Sequence, residues 1–144
     1  MEATRRTFFQ AVAALAAAGF HQTPTIAADK KFQWQNGQSP WPMCLDTATL
    51  SKDVPLEKKV DVVARSEFDA IEPWDRELAA YEETGQSLKE LGASIREKGL
   101  FVPSVIGLWG SLGNTKEDFE SRLEEYHTTL RMIRDIGAEH VQII

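Results

Sequence analysis

The chain is poor in cysteine and histidine, with one of the first and three of the second in 144 residues. A single cysteine, Cys44, excludes an internal disulfide and a cysteine-based zinc finger. Inside an apolar run, it reads as a small buried hydrophobe. The histidines, His21, His127 and His140, stand far apart, and none has ligand spacing with another histidine or a carboxylate. Positive charge is scarce: Lys plus Arg is 16 against 22 for Asp plus Glu, a net charge of −6. That balance argues against a face for nucleic acid or anionic membrane. No stretch reaches the roughly 20 strongly apolar residues of a membrane span, so no stable span is expected. Phosphate-loop signatures are also missing. There is no GxGxxG after the first predicted strand and no GxxxxGK[ST] anywhere.

What is present begins with an address. Thr4-Arg5-Arg6-Thr7-Phe8-Phe9-Gln10 is a twin-arginine sequence, and Ala11 to Phe20 is a short, alanine-rich apolar stretch. Residues 1–28 therefore read as a twin-arginine export signal, with cleavage near Thr25-Ile26-Ala27 or after Ala28. The expected location is periplasmic or extracytoplasmic. Residues 29–42 hold Gln, Asn, Gly, Ser and Pro with little periodicity, and read as a leader.

Beyond the leader one unit repeats. Met43-Cys44-Leu45 is a short apolar run ending at a polar turn, Asp46-Thr47-Ala48-Thr49. Leu56, Val60 and Val63 recur at helical spacing, with Ser51 or Asp53 as candidate caps. Ala70-Ile71 leads into Glu72-Pro73-Trp74, a second strand stopped by proline. Asp75 is placed to cap a helix reaching about Glu83. Ser87-Leu88-Lys89-Glu90 is a capping box, with Leu88, Leu91 and Ile95 as the buried stripe and Gly99 as the left-handed stop. Leu100 to Ile106 reads as a third strand despite Pro103, which belongs at an edge or bulge. Gly107 to Asn114 is a glycine-rich loop suited to a lid. One long helix is expected from about Thr115 to Ile136, with Phe119, Leu123, Tyr126, Leu130 and Ile133 on its buried face and Gly137 as its stop. His140 to Ile144 begins a fourth strand.

Strands near 43, 70, 100 and 140 with helices between them are βα units, which make a parallel sheet with right-handed crossovers. The missing phosphate loops disfavour an open doubly wound sheet. A (β/α)8 barrel takes about 250 residues. The expected fold is α/β: residues 43–144 as the N-terminal half of a (β/α)8 TIM barrel, about four parallel strands with flanking helices. In that reading the chain is part of a longer barrel, and Ile143 and Ile144 form an exposed edge.

Several stretches carry a resemblance. Cys44-Leu45-Asp46-Thr47-Ala48-Thr49-Leu50, Phe68-Asp69-Ala70-Ile71-Glu72-Pro73-Trp74 and Arg76-Glu77-Leu78 resemble secreted sugar phosphate isomerase/epimerase proteins of the xylose-isomerase-like TIM barrel superfamily. Leu91 to Leu100, Val105-Ile106-Gly107 and Ile136-Gly137-Ala138 continue it, so the likeness spans roughly residues 42–144. Ile71-Glu72-Pro73-Trp74 is its most specific part. Two positions depart from the pattern: Asp46 stands where asparagine is frequent, and Ser66-Glu67 where a glycine usually precedes the second strand.

The resemblance implies an isomerase or epimerase acting on a sugar or sugar phosphate. A divalent metal (manganese, magnesium or zinc) would polarise the carbonyl, and carboxylates would move a proton at the neighbouring carbon through an enediolate. Its metal ligands come from later strands, so no residue here is assigned as a ligand and none as catalytic. Substrate-binding candidates sit at the carboxyl ends of strands, the active face of such barrels. Glu72 would accept a hydroxyl hydrogen bond. Trp74 and Trp109 would give flat walls. Arg76 would meet a phosphate or carboxylate, and Asp46 would reach the pocket mouth. Apurinic-site endonucleases share the superfamily but need histidines where this chain has Glu72-Pro73-Trp74 and Ile106-Gly107-Leu108. The remaining alternative is a non-catalytic secreted carbohydrate-binding protein or an inert truncated fragment.

Overall fold

Leu45, Ile71, Val105 and Val141 share one strand parity, and all four belong to or pack against the hydrophobic core. Cys44, Asp46, Glu72, Ser104 and Gln142 have the other parity. This division sets the two faces of the sheet. The computed structural model describes residues 33–112 and 115–144. The export signal, its cleavage site and His21 lie outside the described residues.

Four short strands follow one another: β1 Cys44–Asp46, β2 Ala70–Glu72, β3 Ser104–Gly107 and β4 His140–Ile143. β1 pairs parallel with β2 in the register Cys44–Ala70, Leu45–Ile71 and Asp46–Glu72. β3 pairs parallel with β4 in the register Ser104–His140 through Gly107–Ile143. Parallel bridges Ala70–Phe101 and Trp74–Ile106 join the two pairs. Ile71 N–H donates to the Phe101 carbonyl at 3.0 Å, and Ile106 N–H to the Pro73 carbonyl at 3.0 Å. Spatial order therefore equals chain order, as in a barrel wall; doubly wound sheets reverse direction at a switch point.

Helices cover one face. They are α1 Leu56–Ala64, α2 Asp75–Glu83, α3 Leu88–Glu97, α4 Lys116–Ser121 and α5 Leu123–Ile136. The expected stripes on α1 and α3 are buried. Each fully buried Leu or Val adds about 1.5–3 kcal/mol of transfer free energy. Gly92 lets α3 and α5 touch, because a Cβ there would stand 2.2 Å from the Ile136 carbonyl oxygen. Gly99 and Gly137 stop their helices at φ +79 and +90.

Six local expectations need correction. Neither Ser51 nor Asp53 caps α1; Ser51 Oγ accepts Asp53 N–H within its own turn, and Pro55 occupies the cap. Asp75 lies inside α2. The cap is Trp74, whose N–H is satisfied by Glu77 Oε2 at 2.9 Å. β3 starts after Pro103, which has no N–H to give to a ladder. The long helix is two helices, broken at Arg122 (φ −107, ψ 5). The α3–α5 contact at Gly92 decides which face α5 buries. Tyr126, Thr129, Met132, Ile133 and Ile136 go in, while Phe119 and Leu130 stay 40% and 43% exposed. Finally, Cys44 is exposed, because its parity turns it away from the helical layer.

The leader is structured where described. A 3-10 turn, Gln35–Gly37, precedes β1. Asp69 ties it down by accepting Gln35 N–H at 3.4 Å and Met43 N–H at 2.8 Å. Trp34 packs on Phe101 with ring centroids 5.5 Å apart.

Candidate functional site

The polar turn after β1 and the proline after β2 both sit at strand carboxyl ends. They bring Asp46 and Trp74 together. Trp74 Nε1 donates to Asp46 Oδ1 at 2.8 Å, and the same oxygen accepts Ala48 N–H at 2.8 Å. Asp46 thus caps its own turn and orients an indole. Trp74 stacks on Trp109, with centroids 5.4 Å apart and planes at 22°. The Arg76 guanidinium carbon lies 4.0 Å from the Trp74 ring centroid, a cation–π contact. Trp109 Nε1 donates to Asp75 Oδ1 at 3.3 Å.

Glu72 closes β2 on the face away from the helices. Its Oε1 accepts from the Ser104 hydroxyl and from Gln142 Nε2. Four of the five predicted residues, Asp46, Trp74, Trp109 and Arg76, form one contact chain, and Glu72 shares the inner strand face and the β1–β2 register with Asp46. Beside Trp109, an open groove of about 350 Å³ is lined by Asp75, Arg76, Ala79, Trp109, Thr129 and Met132. The loop carrying Trp109 is tied at several points. Arg122 donates to the Trp109 carbonyl, Gly110 N–H to the Ile144 carbonyl at 2.9 Å, and Leu108 takes a left-handed φ of +53.

Sequence reading missed what lies beneath. Lys59 is 2% exposed, and its Nζ reaches Glu77 Oε1 at 2.7 Å and the Thr47 carbonyl at 3.0 Å. Glu77 Oε2 accepts from the Thr47 hydroxyl and from Trp74 N–H. One carboxylate therefore binds the turn after β1 to the start of α2. The signal was legible: a lysine within the Leu56–Val60–Val63 stripe has to find a buried acceptor. Ser104 and Gln142 were missed as well. Their parity matches that of Glu72 only once β2, β3 and β4 are set side by side.

The Cys44 thiol is pushed up to about 11, first by desolvation and then by the charges of Glu72 and Asp46. It stays protonated at neutral pH. Among the described residues, no three His, Cys, Asp or Glu side chains converge on one point. Asp46 Oδ1 and Glu72 Oε1 each already hold two donors. Glu72 Oε2 accepts no hydrogen bond among the described residues, so this arrangement offers binding and orientation. His140 Nδ1 lies 3.2 Å from the Pro103 carbonyl, a structural contact. No helix among the described residues is long and apolar enough to cross a membrane.

No protein-family description and no curated protein matches the chain. Eight solved chains match its fold. One is a xylose isomerase-like TIM barrel/4-hydroxyphenylpyruvate dioxygenase fusion protein, with TM-score 0.61 and 17% identity over 71% of this chain and 16% of that one. Another is the probable 3-DHS dehydratase AsbF, involved in petrobactin synthesis, from Bacillus anthracis; here the TM-score is 0.60 and identity 14% over 72% of this chain and 38% of that one. A third is protein SMc04130 from Sinorhizobium meliloti 1021, with TM-score 0.57 and 18% identity over 73% and 36%. The fold is thus that of part of a TIM barrel, four consecutive strands of its wall. The chain spans well under half the length of each of these structures.

Proposed function

We propose that this chain forms part of the sugar pocket of an isomerase or epimerase that moves a proton at the carbon beside a carbonyl. The observation that carries the reading is the gathering of Asp46, Trp74, Arg76 and Trp109 at the carboxyl ends of the strands, with Glu72 on the adjoining inner face. Glu72 accepts a substrate hydroxyl. Trp109 offers an apolar face to the C–H side of a sugar, and Trp74, stacked on Trp109 and covered by the Arg76 guanidinium, braces that wall, their N–H groups being already bonded to Asp46 and Asp75. Arg76 stacks on Trp74 and makes no side-chain hydrogen bond among the described residues, so its donors suit a phosphate or carboxylate. The divalent metal implied by the sequence resemblance belongs to this reading, with its ligands expected from later strands of the barrel. Two fold neighbours are named as a dehydratase and a dioxygenase fusion, which supports an enzyme scaffold without selecting isomerisation. The twin-arginine sequence supports export to an extracytoplasmic compartment.

A non-catalytic carbohydrate-binding protein is the second reading. It is favoured by the character of the described side chains, which bind and orient. One experiment separates the two. The protein is incubated with a panel of aldoses, ketoses and their phosphates plus manganese in deuterated water, and followed by NMR. The isomerase reading expects interconversion with deuterium entering beside the carbonyl. Saturable binding without exchange or interconversion would leave the binding protein.

A further inference from the structure

We infer that Ser104 and Gln142 are positioning residues for Glu72: together they hold its Oε1, so that Oε2 is the edge shown to a substrate hydroxyl. This inference deepens the sugar-pocket reading and rests on it for the identity of the ligand. The anchoring itself stands on geometry alone.

The placement follows from register. The Ala70–Phe101 and Trp74–Ile106 bridges differ by one in register, so β3 carries one extra residue between them. Counted back from Trp74–Ile106, Glu72 is level with Ser104, whose hydroxyl it accepts. Ser104 in turn pairs with His140, so Gln142 stands one pleat further along β4 on the same face. Three neighbouring strands thus direct one acceptor and two donors to a single point. The donors are unambiguous. A serine hydroxyl has one proton, and it goes to Glu72. The Gln142 amide must turn its NH2 to the carboxylate, since the opposite orientation would face oxygen with oxygen. Oε2 has no hydrogen-bond partner among the described residues.

A glutamate on a bare wall samples several rotamers and loses that freedom when it binds. Here two hydrogen bonds to a charged group fix it beforehand. A carboxylate held this way is suited to reading a hydroxyl and poorly suited to swinging between two carbons. Ser104 and Gln142 therefore act through Glu72, on affinity more than on turnover.

The experiment has two arms. The first records the Gln142 side-chain amide in 1H–15N spectra of the protein and of Glu72→Ala. The expected result is one amide proton displaced downfield in the wild type, returning to the position of exposed glutamines such as Gln38 and Gln86 in the variant. An amide already at that position, or unmoved by Glu72→Ala, overturns the anchoring. The second arm titrates D-fructose and D-xylose into the wild type, Ser104→Ala, Ser104→Thr and Gln142→Leu. Affinity should fall about threefold to tenfold in Ser104→Ala and Gln142→Leu and return in Ser104→Thr, which keeps the hydroxyl. Unchanged affinity in Ser104→Ala overturns the positioning role. A wild type with the displaced amide but no sugar binding overturns the sugar-pocket reading and leaves the anchoring in place.

Discussion

Trp74 donates its indole N–H to Asp46 across 2.8 Å, joining the carboxyl ends of two neighbouring strands through side chains alone. The same carboxylate oxygen caps the turn that begins at Thr47. Asp46→Ala removes both bonds. The expected cost is about 1–2 kcal/mol in urea unfolding, with tryptophan emission shifted to the red as Trp74 loosens. Asp46→Asn keeps an acceptor oxygen and should recover most of the loss. Equal stability of Asp46→Ala and the wild type would show that the pair is incidental.

Lys59 is buried and its partner Glu77 mostly so, and removing the glutamate strands the lysine. Lys59→Met should cost about 3–5 kcal/mol, and Glu77→Leu a similar amount, while the double variant should be milder than the sum of the two. A double-mutant cycle of urea midpoints measures this. Strict additivity would contradict the coupling.

Cys44 reports the electrostatics of the inner face. Its alkylation by iodoacetamide should be slow at pH 8 and climb with an apparent pKa of about 11. Glu72→Gln should move that midpoint down by removing a negative neighbour. A midpoint near the ordinary thiol value in the wild type would show that the sulfur is well hydrated and that burial does not raise it.

Glu82 and Arg131 tie α2 to α5 through two hydrogen bonds, at 2.8 and 2.7 Å. The Arg131 hydrogen bond holds the Glu82 carboxyl below its ordinary value of 4.5. A depressed folded-state pKa adds stability above the unfolded value and loses it as pH falls through the folded one. The stability difference between wild type and Glu82→Gln should therefore be flat from neutral pH down to about pH 5, and shrink below pH 4.5. Paired thermal melts across that range provide the check. A difference that grows on acidification would reverse the assignment.

Much of this was legible from local pattern. The Leu56–Val60–Val63 and Leu88–Leu91–Ile95 stripes, the stops at Gly99 and Gly137, and the Glu72-Pro73-Trp74 strand end are each set within a few residues. What pattern could not give depends on neighbours distant in sequence. The face that α5 buries goes with Gly92 admitting Ile136, more than forty residues away. Cys44 was misplaced because a three-residue apolar run does not say which parity meets the helices. In the sequence Asp46, Trp74, Arg76 and Trp109 are separate residues near strand ends, and the fold joins them in one chain of contacts. Ser104 and Gln142 have no signature of their own. They matter only through register.

The central claim is that these strand ends line a sugar pocket. Titration of D-fructose and its phosphate into 15N-labelled protein tests it most directly. The account predicts saturable shifts concentrated at Asp46, Glu72, Trp74, Arg76 and Trp109, including both indole N–H signals. Shifts confined to a second groove, of about 330 Å³ and lined by Lys52, Leu56, Glu77, Tyr81 and Gln86 at the ends of α1 and α2, or no saturable shift with any sugar, would contradict it.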